Sequence, residues 1–236
     1  MTITTILFDF DGTLRFNKPA GRDVFIDEAA RLGVHITPEI RRLAARWEHY
    51  YWAESPELLA DAARFPETDD FYLNYSRRQL IALGCSEAQA AALAGPVHAH
   101  MRANYQSEDW IEPGAPRVLE YLQKAGYRMG VVSNRSENFQ AHVNRLGLGD
   151  FFAFTLSGGE AQSKKPDPGI FHHALRLAGS TPHQAMYVGD NFFADVVGAR
   201  RAGVHPVLFD PREVFDDPGC TVIKSIEELP TLLERI

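Results

Sequence analysis

The sequence predicts an α/β fold, a parallel sheet covered by helices on both faces, with a helical segment inserted after the first strand. Three observations predict it. From Gly114 onward, short apolar runs alternate with helical patterns, as in chains that build parallel sheets. A lone buried-strand pattern, Thr4 to Phe10, stands at the start and ends in the turn residues Asp11-Gly12. Between the two, from Arg22 to about Met101, the texture is helical with almost no strand signal.

In the inserted segment, Asp23 to Leu32 is the first predicted helix. The second opens at Thr37-Pro38-Glu39, with Thr37 as N-cap and Pro38 at the first helical position, and runs to about Ala53. Asp70 to Leu83 and Ser86 to about Met101 follow. Ser86 with Gln89 three residues on has the form of a capping box. In the C-terminal part the predicted helices are Pro116–Ala125, Glu137–Leu146, Pro168–Ala178, Phe193–Ala202 and Ile226–Arg235. The extended segments are Arg128–Ser133, Phe152–Leu156, Ala185–Val188, His205–Phe209 and Thr221–Ile223.

The bulk numbers fit this plan. A chain of 236 residues has room for one large domain, or for a domain with a smaller insertion. Its 45% hydrophobic and 23% charged residues are ordinary for a soluble globular protein. The net charge of −7 weighs against nucleic acid or anionic membrane as the main partner. A small phosphorylated molecule stays open, because a metal or a local basic pocket overrides the global sign. Two distant cysteines, Cys85 and Cys220, exclude a paired-cysteine metal signature and fit a reducing cytoplasm. Met1 to Phe10 lacks a basic leader and is interrupted by Asp9 and Asp11. It is therefore expected to be a buried strand and not a signal peptide. No apolar run is long enough to span a bilayer. Nothing in the pattern sets an oligomeric state.

In a parallel sheet, ligands bind at the carboxyl ends of the strands. The first strand ends in Asp9-Phe10-Asp11-Gly12-Thr13-Leu14 and the second in Ser133-Asn134. A loop carries Lys164-Lys165-Pro166-Asp167, and the strand from Ala185 ends in Gly189-Asp190-Asn191, with Asp195 just beyond. These residue types suit phosphoryl transfer. A carboxylate forms an aspartyl-phosphate and divides one hard step into two. A second carboxylate serves as acid toward the leaving oxygen and then as base toward water. Further carboxylate oxygens suit Mg²⁺, which offsets the repulsion between an anionic nucleophile and an anionic substrate. Lysine and serine hold the remaining phosphate oxygens, and Gly12 lets backbone N–H groups come close.

Taken singly, each feature has a plainer reading: Asp-x-Asp-Gly a turn, Ser133 a helix cap, Lys165 a solvated loop residue, Gly189-Asp190 a turn, Asp195 a helix-start acid. Their joint order is what points to catalysis. Trp47, Tyr50, Tyr51 and Trp52 read better as packing than as substrate contacts. His98 with His100, and His172 with His173, are spaced so that neither pair shares a helix face. Gly158-Gly159 reads as a loop that gives the Lys165 segment room, and Asp216-Asp217-Pro218-Gly219 as a solvated turn.

The ordered set Asp9-Phe10-Asp11-Gly12-Thr13, Ser133-Asn134, Lys165-Pro166 and Gly189-Asp190 with Asp195 resembles the haloacid dehalogenase superfamily. The resemblance covers roughly two thirds of the chain. It implies a Rossmann-like core over 1–15 and 108–236 and a helical cap over 16–107. It also implies roles. Asp9 resembles the nucleophile and a metal ligand. Asp11 resembles the general acid/base, with its carbonyl on the metal. Ser133, Asn134, Gly12 and Lys165 resemble the phosphate contacts, with Lys165 also countering the charge of Asp9. Asp190 resembles a further carboxylate ligand to Mg²⁺, and Asp195 a support for the metal shell or for Lys165. Lys164 is an equal candidate by chemistry, demoted only by its offset from Pro166. Arg15 stands where many relatives carry a small or acidic residue, and is a candidate for substrate contact or for solvent. Asp11 favours phosphate chemistry, since the dehalogenases of this family usually lack a carboxylate there. The expected activity is Mg²⁺-dependent hydrolysis of a small phosphate monoester. A phosphomutase is the alternative, and a dehalogenase or a non-catalytic binding protein is further off. The cap is expected to close over the site and set specificity.

Overall fold

The computed structural model describes residues 2–66 and 68–235. Met1 and Ile236, the outer bounds of the predicted core, lie outside the described residues. The chain divides into two compact units, Met1–Phe16 with Ile111–Ile236, and Asn17–Trp110.

In chain order, β1 (Thr5–Phe8) and β2 (Arg15–Lys18) precede five helices. These are α1 (Gly21–Arg31), α2 (Pro38–Tyr51), α3 (Pro56–Arg64), α4 (Thr68–Ala82) and α5 (Glu87–Asn104). Then come β3 (Glu108–Ile111), α6 (Ala115–Lys124), β4 (Arg128–Ser133), α7 (Gln140–Arg145), β5 (Phe154–Ser157) and α8 (Gly158–Ala161). The chain continues with α9 (Pro168–Ala178), β6 (Ala185–Gly189), α10 (Val197–Arg201), β7 (His205–Phe209), β8 (Thr221–Ile223) and α11 (Leu229–Leu233).

The first unit is a Rossmann-like α/β fold. Its sheet has six strands in the order β5-β4-β1-β6-β7-β8, and every pairing is parallel. β1 and β6 are buried along their whole length, which is why they read as continuous apolar runs. Alternation then sends side chains to two cores. Ile6, Phe8, Met129, Val131, Met186 and Val188 pack with Leu119 and Leu122 of α6. Leu7, Val132 and Tyr187 pack with Ile170, Phe171 and Ala174 of α9. After β1 the chain winds outward through β4 and β5, then crosses to β6 and winds the other way. The carboxyl ends of β4, β1 and β6 therefore meet where the winding reverses.

The second unit is helical. Phe25, Ile26, Ala29, Ala44, Leu80, Ala94 and Val97 form its core. Thr37 and Ser86 cap α2 and α5 as the sequence predicts, and the Ser86/Gln89 capping box is formed. Trp47, Tyr51, Trp52 and Tyr75 pack ring on ring, with centroids 5.1–5.8 Å apart. Tyr51 donates to Asp61 at 3.0 Å and Arg78 donates to the same carboxylate at 2.8 Å. Trp47, Tyr51 and Trp52 of the aromatic run thus pack, while the Tyr50 hydroxyl donates to Glu57 at 2.7 Å. His98 faces Asp69 and His100 faces Glu28.

The structure departs from the sequence reading at several elements. α3 lies in a stretch where no helix was predicted, although its Ser55 cap and Pro56 carry a helix-start signature. The β2–β3 pair is short and largely exposed, so it has no alternating pattern to detect. α7 starts at Gln140 and not at Glu137, because Asn138 Oδ1 accepts from the Gln140 N–H and holds the preceding residues in a turn. Gly158-Gly159 is the first turn of α8, closed by a Ser157/Glu160 capping box, and not a loop. The predicted helix over 193–202 is split into a π-helical turn, Phe192–Val196, and α10.

Candidate active site

β1 ends at Phe8, earlier than predicted, and the next residues turn sharply over the sheet edge. The Phe10 carbonyl accepts from the N–H groups of Leu14 and Arg15 at 3.0 and 2.9 Å. Gly12 adopts φ +95°, and a Cβ there would sit 2.5 Å from Asp190 Oδ2. Only glycine fits both the conformation and the approach. This turn brings Asp9, 6% exposed, beside Lys165, 2% exposed.

Lys165 is the centre of the site. Its Nζ donates to Asp9 Oδ1 at 2.7 Å, to Asp195 Oδ1 at 2.7 Å and to the Tyr187 hydroxyl at 2.9 Å. Three acceptors match the three donors of an ammonium group. The Tyr187 hydroxyl in turn donates a hydrogen bond to the Val132 carbonyl at 2.9 Å. Sequence reasoning missed Tyr187, because in an apolar strand it looks like one more core side chain. Of the two adjacent lysines, it is Lys165 and not Lys164 that is buried.

Asn134 holds the Lys165 segment from the backbone. Its Nδ2 donates to the Lys165 carbonyl at 2.8 Å, and its Oδ1 accepts from the Lys165 N–H at 2.7 Å. Its amide, expected on phosphate, is engaged with that backbone in this structure. Ser133, buried at the end of β4, accepts from the Arg135 N–H at 3.4 Å. Asp195 Oδ2 accepts from the Asn191 N–H at 2.8 Å, so this carboxylate ties the Lys165 ammonium to the loop after β6. The π-helical turn carries Asp195 into this position, and such turns concentrate at functional sites. Asp190 Oδ1 accepts from Thr13 Oγ1 at 3.0 Å.

Asp11 stands apart from this buried set, with its side chain 39% exposed. Arg135 meets it through two bonds of 2.7 and 2.8 Å, and Arg15 reaches it at 3.2 Å. Arg15 thus contacts a site carboxylate rather than solvent alone. Arg135 carried no sequence signal beyond its place after Asn134.

The donor set suits a hard divalent cation. Asp9, Asp190 and Asp195 each offer an oxygen within 4.8 Å of the others. Burial pushes the Asp9 carboxyl up to about 7; Lys165 pulls it down, and Asp195 and Asp11 push it up. Burial, with the charges of Asp9 and Asp195, raises Asp190 well above the usual carboxylate range. One lysine therefore does not balance this much negative charge. Carboxylate oxygens clustered with uncompensated charge are what Mg²⁺ binds. Asp9 and Asp190 suit the ion best, because both oxygens of Asp195 already accept hydrogen bonds.

The haloacid dehalogenase-like hydrolase family matches this chain over residues 3–203. The chain belongs to that family. A member of this hydrolase family is an enzyme, and the four motifs of this one meet at the carboxyl edge of the sheet. Ribulose-1,5-bisphosphate 5-phosphatase of Halopiger xanaduensis is 30% identical over 217 residues, 90% of this chain and 87% of that one. Phosphoglycolate phosphatase of Pseudomonas savastanoi pv. phaseolicola is 33% identical over 153 residues, 56% of each chain. The HAD-hydrolase YfnB of Bacillus subtilis, solved bound to magnesium, aligns over 99% of both chains with a TM-score of 0.60. At 20% identity, that likeness is one of fold alone. Among the described residues, no helix is long and apolar enough to cross a membrane.

Proposed function

We propose that this hydrolase is a Mg²⁺-dependent phosphatase that removes phosphate from a small phosphorylated metabolite through an aspartyl-phosphate on Asp9. The observation that carries the reading is the Lys165 ammonium shared between Asp9 and Asp195 at 2.7 Å each, with Asp190 alongside. Lys165 fixes the Asp9 carboxylate in one orientation and, against the effect of burial, favours the anionic form that a nucleophile needs. The Ser133 hydroxyl holds a phosphoryl oxygen and Lys165 adds its positive charge, while the three Lys165 donors and the Gly12 N–H, which donates to the Arg15 carbonyl at 2.8 Å, are engaged within the site. Asp11 protonates the leaving oxygen and then takes a proton from the attacking water. Asp9, Asp190 and the Asp11 carbonyl hold the cation, with Asp195 in support. When bound, Mg²⁺ neutralises the charge on the transferring phosphoryl group. Residues 16–107 act as a cap domain.

The names of two relatives support a small anionic metabolite. Ribulose bisphosphate and phosphoglycolate are both phosphate monoesters that carry a second anionic group. The test is phosphate release from a panel of phosphorylated metabolites, with Mg²⁺ and with EDTA, beside Asp9→Asn. Release that needs both the cation and Asp9 is expected. Turnover retained in Asp9→Asn would sink the mechanism. Phosphoryl return to the substrate without release would make the enzyme a phosphomutase.

A further inference from the structure

Arg135 lies 124 residues from Asp11 in sequence, yet its guanidinium meets that carboxylate edge to edge, Nε on Oδ2 and Nη2 on Oδ1. This paired geometry is the strong form of a charge-assisted hydrogen bond. The rest of the side chain is fixed as firmly. Nη1 lies 3.0 Å from His142 Nδ1, and since guanidinium only donates, that nitrogen is the acceptor. The guanidinium carbon lies 4.9 Å from the Phe10 ring centroid and 5.6 Å from that of Phe139. The donor fork is therefore aimed at one place by four surrounding groups. Arg15 adds a second guanidinium to the same carboxylate.

We infer that Arg135, with Arg15 beside it, is a subsite for a second anionic group on the leaving portion of the substrate. That group is a carboxylate or a second phosphate. The Asp11 carboxylate holds this place until the substrate arrives. The inference rests on the phosphatase reading above. An anion entering the fork replaces the Arg135–Asp11 bonds one for one and frees Asp11 to turn to the leaving oxygen. A substrate with an uncharged tail has to break the same ion pair with nothing to replace it, in a site where the Arg135 side chain is 29% exposed. Loss of one charged, hydrogen-bonded contact of this kind corresponds to roughly 10- to 100-fold in kcat/KM. The subsite thus selects substrates by the charge of the tail and not by its shape.

The test compares matched substrates on the full chain with Mg²⁺. One pair is 2-phosphoglycolate and its carboxamide. The other is a pentose bisphosphate and the monophosphate that lacks the distal group. The wild type should prefer the anionic member by about 10-fold or more. Arg135→Gln should reduce that preference to within about 3-fold, and Arg135→Lys and Arg15→Gln should each keep part of it. A preference confined to the first pair assigns the subsite to a carboxylate, and one confined to the second assigns it to phosphate. Equal kcat/KM within both pairs in the wild type would overturn the inference while leaving the phosphatase reading intact. A preference unchanged in Arg135→Gln would do the same. If Arg135→Gln does not fold, a wild-type preference in both Arg135→Lys and Arg15→Gln overturns it. If the wild type releases phosphate from none of the four but does so from uncharged-tail monoesters of the wider panel, this inference falls and the phosphatase reading stands; release from no phosphorylated compound sinks both.

Discussion

Lys165 Nζ lies 2.7 Å from Asp9 Oδ1, and both side chains are almost wholly removed from water, at 3% and 9% exposure. A pair buried this deeply contributes most through the cost of breaking it. Lys165→Met leaves Asp9 and Asp195 without their shared cation. The variant should lose about 3–5 kcal/mol of stability, a fall in Tm on the order of 10 °C. Differential scanning calorimetry without divalent cation measures it. An unchanged Tm would mean that the carboxylates find other compensation.

The raised carboxyls of Asp9 and Asp190 link stability to pH. Asp9 binds its proton up to about pH 7 in the folded protein, against 3.8 when unperturbed. Between these values the folded state holds protons that the unfolded chain has released. Stability of the metal-free protein therefore falls as pH rises through that window. Mg²⁺ displaces these protons, so its stabilising effect should be larger at pH 7.5 than at pH 5. Thermal melts with and without Mg²⁺ at the two pH values decide the matter; equal shifts at both would refute it.

Asn134 joins the loop after β4 to the Lys165 segment through two hydrogen bonds. Asn134→Ala removes both and should cost about 1–3 kcal/mol. Because Lys165 then loses its fixed position, kcat should fall more than KM rises. A rise in KM alone would mean that the Asn134 amide contacts the substrate directly.

In the helical unit, Asp61 is buried and accepts from both Tyr51 and Arg78. Asp61→Ala leaves a partly buried guanidinium and a buried hydroxyl without this partner. A loss of about 2–4 kcal/mol is expected, read as an earlier urea midpoint. Tryptophan fluorescence should report it first, since Trp47 packs on Tyr51.

The local signals of the sheet and of the caps were readable from one sequence. β4 and β7 fall on the predicted residues, because largely buried strands print as apolar runs; the half-exposed edge strand β8 also falls on its predicted residues. Thr37 and Ser86 were readable because a cap is a contact among neighbours in sequence. The π-helical turn at Phe192 was not, because helix pitch depends on where Asp195 and Asn191 must point.

The sequence by itself determined the order of the motifs, the acidic character of the site and the family to which the chain belongs. Each of these is carried by residue type and spacing along the chain. Tertiary structure alone decided which groups touch. It selected Lys165 over Lys164, brought Tyr187 to the ammonium, turned the Asn134 amide onto the Lys165 backbone and closed Arg135 on Asp11. Those contacts join residues 22 to 124 positions apart. No local pattern encodes such pairs, because sheet order and chain crossing, not spacing, set which strand ends become neighbours.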